Sequence, residues 1–219
     1  MKFRLVCVVG LTSVLAACAP ATGYGTIVAD STAAPVPTTT APPPPREVPA
    51  ETHTGKGDGE FAVTWPADQL GFFTFDCPKC RDNVMIDTDG GEFGLVNAIG
   101  AYKGTSWLNT YPDEPTTKIT VRADAAWTAT IADRRSLPVA SPGKEVSGKG
   151  DAVLQVPEGV TTLAFTAKTR GNVGLWVMSP TVRDLLVNEI GNLSRTVRVV
   201  GPALVRVEGY ETSWTITPS

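Results

Sequence analysis

Two cysteines separated by two residues are the part of this sequence most suited to redox chemistry. The stretch DCPKCRDN, residues 76–83, contains Cys77 and Cys80. A C-x-x-C pair becomes reactive where it caps a helix N-terminus, because the helix lowers the pKa of one thiol. The residues that follow, RDNVMID, run into a predicted strand instead. We therefore predict a structural Cys77–Cys80 disulfide in an oxidising compartment, with a redox couple and a metal site as the alternatives.

A loop rich in Asp and Gly is a candidate cation site. The stretch DTDGGE, residues 87–92, offers the carboxylates of Asp87, Asp89 and Glu92. Oxygen-rich loops bent by Gly can hold Ca²⁺, but Asp and Gly also dominate ordinary hairpin turns. The spacing of an EF-hand is absent. We therefore predict a plain turn, with calcium as the alternative, and we expect no cofactor.

Composition excludes a catalyst that depends on histidine. The chain contains a single His, His53, which falls in a segment that lacks any hydrophobic period. A Ser-His-Asp or Cys-His catalyst needs its imidazole inside the site. The carboxylates are scattered over turns, and no spacing marks two of them as a pair for glycoside cleavage. We therefore expect no catalytic residues, and a protein that is not an enzyme.

An internal repeat accounts for most of the remaining pattern. LVNAIGAYKGT at residues 95–105 returns as LVNEIGNLSRT at 186–196. GKGD also occurs twice, and the offset between matched residues drifts from 93 (55 to 148) to 87 (127 to 214), as small loop insertions would cause. The chain is therefore predicted to hold two related modules of about 80 residues, 59–141 and 142–219, that pack on one another.

Positions that match in both modules are expected to be structural. Three pairs stand out: Trp127 and Trp214, Gly100 and Gly191, and Asn97 and Asn188. Each Trp is predicted to fill a core and to donate its indole N–H to a backbone acceptor. Each Gly is expected to provide a positive φ or a close chain approach. Each Asn follows a Val within a largely apolar string, so we predict that it is buried and binds backbone.

Aromatic residues without a counterpart are the candidates for a binding face. Trp65, Trp107 and Trp176 are matched by other residue types in the other module. An unmatched Trp is not required by the shared skeleton, and exposed aromatics serve in sugar and protein recognition. We therefore take Trp107 and Trp176, together with Tyr102, as possible binding residues, with local core packing as the alternative.

Both modules have the sequence pattern of β-structure. Period-two runs rich in Val, Ile, Thr and Trp, such as KITVRA and TSWTIT, alternate with turns of Gly, Pro, Asp and Asn. Residues 179–191 have a short helical pattern, but their counterpart at 90–100 carries glycines where a helix needs helix formers. Both segments are therefore predicted as strand or loop. Short strands with regular turns predict an all-β fold of two tandem β-sandwich modules.

The first residues have the pattern of a lipoprotein signal peptide. Lys2 and Arg4 precede an apolar run, residues 5–15, and the stretch LAAC, residues 15–18, follows with Cys18 as its last residue. The run is shorter than the ~20 residues that a membrane-spanning helix needs. LAAC resembles a bacterial lipobox, which implies diacylglycerol on the Cys18 thiol and cleavage before it. We therefore predict a signal peptide over residues 1–17, with a secreted protein cut at an A-x-A-like site as the alternative.

The next segment, residues 18–58, is predicted to be a disordered linker. It includes APVPTTTAPPPPREVP, and such a Pro- and Thr-rich stretch buries too little apolar surface to offset its ordering entropy. From Cys18 onward, the chain has 17 Lys and Arg, which is the total of 19 without Lys2 and Arg4, against 22 Asp and Glu. This acidic balance argues against a nucleic-acid partner.

The repeated phrase resembles a β-rich module of uncharacterised secreted proteins and lipoproteins of actinobacteria, in which LLVNxIGxYxGT precedes a strand ending in W-T-x-x-I. GLVNAIGAYKGT and WTATI match in the first copy, whereas GNLSRT in the second copy lacks the Tyr and the last Gly. The resemblance covers residues 59–219. It implies the fold and an envelope location, and it brings no catalytic residues.

These observations predict a lipid-anchored protein of the cell envelope. The membrane is its partner through the diacylglycerol on Cys18, and the folded part lies at the outer face of the cytoplasmic membrane. We expect it to bind or scaffold a cell-wall glycan or an envelope protein without chemistry of its own. A thiol–disulfide protein that uses Cys77 and Cys80 is one alternative, and a structural spacer is another.

Overall fold

The computed structural model describes residues 46–180 and 182–219, which form part of one compact unit. The predicted signal peptide, the lipidation site Cys18 and most of the predicted linker lie outside these residues. Within the described ranges, no helix is long and apolar enough to cross a membrane.

The first half of the fold contains eight strands: β1 (Glu51–Lys56), β2 (Gly59–Ala62), β3 (Gly71–Cys77), β4 (Asn83–Thr88), β5 (Val96–Ile99), β6 (Tyr102–Leu108), β7 (Lys118–Arg122) and β8 (Ala126–Ala132). They form two four-stranded sheets, ordered β1-β8-β3-β6 and β2-β7-β4-β5. All of these pairings are antiparallel. The two sheets enclose one core, and we call this unit the first sandwich.

A 3₁₀ turn (Arg134–Ser136) precedes the strands of the second half: β9 (Val146–Lys149), β10 (Ala152–Val156), β11 (Thr162–Lys168), β12 (Asn172–Met178), β13 (Arg183–Ile190), β14 (Leu193–Arg198), β15 (Ala203–Glu208) and β16 (Ser213–Pro218). Their sheets are ordered β9-β16-β11-β14 and β10-β15-β12-β13. Adding eight to each strand number of the first sandwich gives this order, so the second sandwich repeats its topology. The predicted all-β fold of two tandem sandwiches is confirmed.

Period-two burial builds each core. In β3, Phe73 and Phe75 face inward, and Leu163 and Phe165 do so in the equivalent strand β11. Burying a large apolar side chain of this kind contributes about 1.5–3 kcal/mol. The segments at 90–100 and 179–191, predicted as strand or loop, contain β5 and β13.

The folded part begins earlier than the sequence indicates. Strand β1 pairs with β8 from Glu51 to Lys56, inside the segment predicted to be linker. His53 stacks on Phe61 at a ring separation of 4.0 Å, and its Nε2 lies 2.6 Å from Glu51 Oε1. The predicted linker is therefore too long at its C-terminal end. Strand β1 has no hydrophobic pattern in the sequence, because ETHTGK contains no apolar side chain. In the structure its alternate residues are only half-buried.

The prediction that Asn97 and Asn188 are buried is wrong, since both side chains are exposed. Strand alternation is the reason. Val96 and Val187, one position earlier, face the cores, so each Asn faces solvent. Gly100 and Gly191 do take up positive φ angles, 86° and 89°, as predicted.

The two sandwiches share a third apolar cluster, which we call the joint. Its buried members are Phe72, Trp107, Leu137 and Val153, and its partly buried members are Leu70, Trp176, Met178 and Leu204. Strand β6 runs beside β10, and the Thr105 amide donates to the Asp151 carbonyl across the joint at 3.1 Å. The expected packing of one module on the other is therefore observed.

Candidate functional site

Tyr102 belongs to the core of the first sandwich and is not a surface residue. Its side chain is buried, and its hydroxyl donates a 2.6 Å hydrogen bond to Asp151 Oδ2 in the second sandwich. Burial, together with the Asp151 charge, raises the pKa of the Tyr102 phenol. Asp151 Oδ1 accepts from the Gly209 amide at 2.8 Å. Tyr102 therefore joins the two sandwiches, and its buried ring is not part of an exposed binding face.

Replacing Tyr102 with Phe should lower the free energy of unfolding by about 1–3 kcal/mol, because the partly buried Asp151 Oδ2 then loses its donor. Urea denaturation of the wild type and the variant measures this difference. Tyr111→Phe is the matched control, since that ring is 42% exposed, and it should change stability by less than about 0.5 kcal/mol. Equal effects of the two substitutions would contradict the assigned role of Tyr102.

Trp107 and Trp176, the unmatched tryptophans, also meet at the joint. Trp107 is buried, and Trp176 is half-buried with its indole N–H donating to Glu208 Oε2 at 2.9 Å. Neither ring forms an exposed platform. Most of the surface of both rings is packed against neighbouring residues, as the alternative of local core packing predicts. Trp65 is buried as well, and it donates to the Gln69 carbonyl at 3.0 Å. The joint has no equivalent elsewhere in the described fold, which explains why Trp107 and Trp176 have no counterpart.

An open pocket of about 280 Å³ borders the joint, and we call it the joint pocket. Its lining residues are Gly91, Glu92, Phe93, Gly94, Leu95, Trp107, Tyr111, Arg183 and Arg206. The aromatic rings come from the first sandwich: Trp107 lies on β6, Phe93 on the loop between β4 and β5, and Tyr111 on the loop after β6. Both arginines come from the second sandwich, on β13 and β15. The pocket therefore exists only where the two sandwiches meet.

Two guanidinium groups lie against the aromatic rings of this pocket. The Arg183 guanidinium carbon is 4.6 Å from the Tyr111 ring centroid and 5.7 Å from that of Trp107. The guanidinium carbon of Arg206 is 5.6 Å from the Trp107 centroid. These distances are within the range of cation–π attraction. The rings therefore hold both cations in place while leaving most of their N–H groups available.

Glu92 provides a buried carboxylate at the same pocket. Its Oε1 accepts from the Thr110 amide at 2.5 Å and from the Thr110 hydroxyl at 2.7 Å. The same hydroxyl accepts from Arg183 Nη1 at 2.9 Å. Among the described residues, Glu92 Oε2 and Arg206 Nε have no hydrogen-bond partner. Both atoms are buried, and both belong to residues of the pocket lining.

The predicted disulfide between Cys77 and Cys80 is confirmed. Both residues are buried, and they span the turn between β3 and β4. The Cys80 amide donates to the Cys77 carbonyl at 3.4 Å within this turn. Strands β3 and β4 belong to different sheets, so the pair lies in a turn that crosses from one sheet to the other. No helix N-terminus is present at this turn to lower a thiol pKa. The position agrees with a covalent brace for the connection between the two sheets.

The structure does not bring Asp87, Asp89 and Glu92 together as a cation site. Asp89 accepts hydrogen bonds from the amides of Thr117 and Lys118, each at 2.8 Å, which hold the loop against β7. Donation from the Thr117 hydroxyl is the main cause of a lowered pKa for Asp89. Over residues 46–180 and 182–219, no three His, Cys, Asp or Glu side chains are grouped in a way that would hold a metal ion.

Sequence reasoning missed Arg183, Arg206, Tyr111 and Phe93. One signal was available for Arg206. In the second sandwich, Trp176 on β12 lies opposite Arg206 on β15. The equivalent residues of the first sandwich are Asp87 on β4 and Thr120 on β7. An unmatched Arg beside an unmatched Trp marks a place where the two copies have diverged. The loop residues Tyr111 and Phe93 carry no comparable signal, because loops have no register.

Comparisons with known proteins give no family for this chain. No family model matches it, and no curated protein does. Among solved structures, the CUB1-EGF-CUB2 region of human MASP-1/3 is similar over 77% of this chain and 99% of its own, at 7% identity and a TM-score of 0.26. A turret protein of Sulfolobus turreted icosahedral virus is similar over 78% and 96%, at 12% identity and a TM-score of 0.29.

A conserved protein of unknown function from Pseudomonas aeruginosa PAO1 is similar over 78% of this chain and 82% of its own, at 10% identity and a TM-score of 0.24. At TM-scores this low, the similarity carries no argument about function.

Proposed function

We propose that this chain is a non-catalytic binding protein of the cell envelope, held by lipid on Cys18 at the outer face of the cytoplasmic membrane. The observation that carries the binding role is the joint pocket, whose walls come from both sandwiches. Two separate modules would each present half of it, whereas their packing at Trp107 creates one concave site. Ligand sites in proteins commonly occupy such clefts between domains.

The side chains at this pocket are suited to holding a ligand and not to transforming it. The guanidinium groups of Arg183 and Arg206 offer hydrogen-bond donors and positive charge, which suit the holding of an anionic ligand. Glu92 is the one carboxylate in the lining, and its Oε1 is occupied by Thr110. Cleavage of a glycosidic bond generally uses two carboxylates on opposite sides of the bond. This set of groups supports binding.

The proposed location is supported by the sequence before Cys18 and by the Cys77–Cys80 disulfide, because such bonds persist in oxidising compartments. A thiol–disulfide activity remains the alternative use of this pair. The burial of both cysteines favours a brace over an exchange reaction with another protein.

Replacing Cys18 with Ser should move the protein out of the membrane fraction, because the two acyl chains have no other attachment point. Cell fractionation and intact mass measure this change, and the wild-type mass should include the diacylglycerol group. Cys7→Ser is the matched control, since Cys7 lies in the predicted signal peptide, and it should leave the location unchanged. A Cys18→Ser variant that stays in the membrane fraction would contradict the proposed anchor.

A further inference from the structure

We propose that the joint pocket binds a carboxylate-bearing sugar ring, an acidic residue of an envelope glycan. The choice of a glycan as its source rests on the proposed location, whereas the recognition of the acidic ring rests on the pocket alone. Three features of the pocket lead to this ligand: free guanidinium donors, a buried acceptor, and aromatic rings at a ring-sized opening.

The guanidinium donors are the first feature. Arg183 is exposed, and it uses one N–H on the Thr110 hydroxyl. Within the described part of the chain, it makes no ion pair. Arg206 Nη2 lies 3.8 Å from Glu208 Oε2, a long contact that leaves its other donors free. A guanidinium matches a carboxylate with two parallel hydrogen bonds, and two such groups at one pocket favour an anionic ligand.

The charge of the pocket differs from that of the whole molecule. The lining contains Arg183, Arg206 and Glu92, which leaves an excess of one positive charge. The chain as a whole carries a net charge of −3. Glu208, beside Arg206, reduces the local potential but does not line the pocket. A positive opening on an acidic surface draws anions to this one place.

The buried acceptor is the second feature. Glu92 is 6% exposed, and its unpartnered Oε2 belongs to a lining residue. A buried carboxylate oxygen without a donor is costly. A ligand hydroxyl would satisfy it if the Glu92 carboxylate turned toward the pocket, whereas a simple inorganic anion would be repelled by it. The pocket therefore selects a ligand that combines an anionic group with hydroxyl donors, which is the composition of an acidic sugar.

The aromatic rings and the size of the opening are the third feature. Phe93 is 87% exposed, and Tyr111 is 42% exposed, so two rings stand open to solvent beside the guanidinium groups. Gly91 allows Tyr111 to lie close, since a Cβ there would come within 2.6 Å of Tyr111 Cδ2. The volume of about 280 Å³ is below the usual range of about 300–1,000 Å³ for sites of drug-sized ligands. One sugar ring with its carboxylate is the matching size.

Titration calorimetry with D-glucuronate and D-glucose tests this proposal on the full chain purified in detergent. The two sugars differ only at the sixth carbon, which is a carboxylate in one and an alcohol in the other. Glucuronate should bind at least about tenfold more tightly, as expected for a charge-assisted hydrogen bond. Arg183→Gln should remove that preference. Arg195→Gln is the matched control, because Arg195 is exposed on β14 outside the pocket lining.

Other outcomes would overturn the proposal. Equal affinity for the two sugars, or no heat with either at millimolar concentration, would show that the pocket does not read the carboxylate of a sugar. Tighter binding of glucose 6-phosphate would assign the pocket to phosphate, and tighter binding of a polyglutamate peptide would assign it to a protein partner. An Arg183→Gln variant with the wild-type melting temperature and the wild-type preference would also contradict it.

The calorimetry is independent of the anchor experiment. Detergent-purified protein reports on the pocket whether or not Cys18 carries lipid in the cell. Failure of the Cys18→Ser prediction would therefore change the proposed location and leave the pocket in place. Failure of glucuronate binding would remove the acidic-sugar ligand and leave the anchored protein.

Discussion

Replacing Trp127 with Ala is expected to lower the free energy of unfolding by about 3–5 kcal/mol, and replacing Trp214 should do the same. Each ring lies against a glycine of the neighbouring strand. A Cβ at Gly55 would come within 2.2 Å of Trp127 Cζ2, and one at Gly148 within 2.3 Å of Trp214 Cζ2. Only glycine at positions 55 and 148 leaves room for these rings. Because glycine has no side chain that could move into the space, removing a ring leaves a cavity.

The indole N–H groups of these two residues repeat the same contact. Trp127 Nε1 donates to the Gly57 carbonyl and Trp214 Nε1 to the Gly150 carbonyl, both at 2.9 Å. Urea denaturation should show a lower midpoint for each variant at an unchanged slope. Trp127→Phe is the control, since it keeps most of the ring and should cost less than the Ala variant. A loss of under 1 kcal/mol for one Trp and of several for the other would contradict their equivalence.

Comparison of the two halves of the sequence predicted the parts of the fold that both copies contain. It identified Trp127 and Trp214 as core residues with a backbone acceptor, and Gly100 as a residue with positive φ. The same comparison failed for Asn97, because a shared position can be exposed in both copies. Alternation along β5 places Val96 inside and Asn97 outside.

The joint and its pocket could be predicted only in outline. The first sandwich contacts the second through a surface that is not equivalent to the one the second sandwich uses. A residue at the joint is therefore matched by a different residue type in the other copy. Tyr102 occupies the position of Leu193, because only the first copy has a sandwich packed against that strand. The loss of the Tyr from the second copy of the repeated phrase is explained by this asymmetry. Arg183 and Tyr111 come into contact only because the two sandwiches pack together. No local sequence pattern predicts such a contact.

Replacing Gly104 with Val is expected to destabilise the joint by about 1–3 kcal/mol, and by more if the joint opens. A Cβ at Gly104 would come within 2.3 Å of the Tyr102 hydroxyl oxygen and 3.0 Å of Asp151 Cβ. To remove this steric clash, the Tyr102 side chain must move away from Asp151, or the two sandwiches must move apart. Either change breaks the hydrogen bond of 2.6 Å between them. Thermal unfolding followed by tryptophan fluorescence measures the loss.

Arg195→Val is the matched control for Gly104→Val, because Arg195 holds the equivalent position in the second copy, where no further sandwich is packed. Its guanidinium pairs with Glu189 at 3.0 Å on the surface, and exposed pairs of this kind contribute about 0–1 kcal/mol. The control should therefore change stability little. A Gly104→Val protein as stable as the control would mean that β6 and β10 do not press together as described.

The rotational motion of the two sandwiches in solution tests most directly whether they form one body with a pocket between them. Backbone ¹⁵N relaxation of the full chain reports the tumbling of each amide. If the contacts of Trp107, Trp176 and Tyr102 hold the joint closed, a single rotational diffusion tensor will fit the strands β1–β8 and β9–β16 together. Two separate tensors, each with the shorter correlation time of a lone sandwich, would contradict a fixed joint and the pocket that it forms.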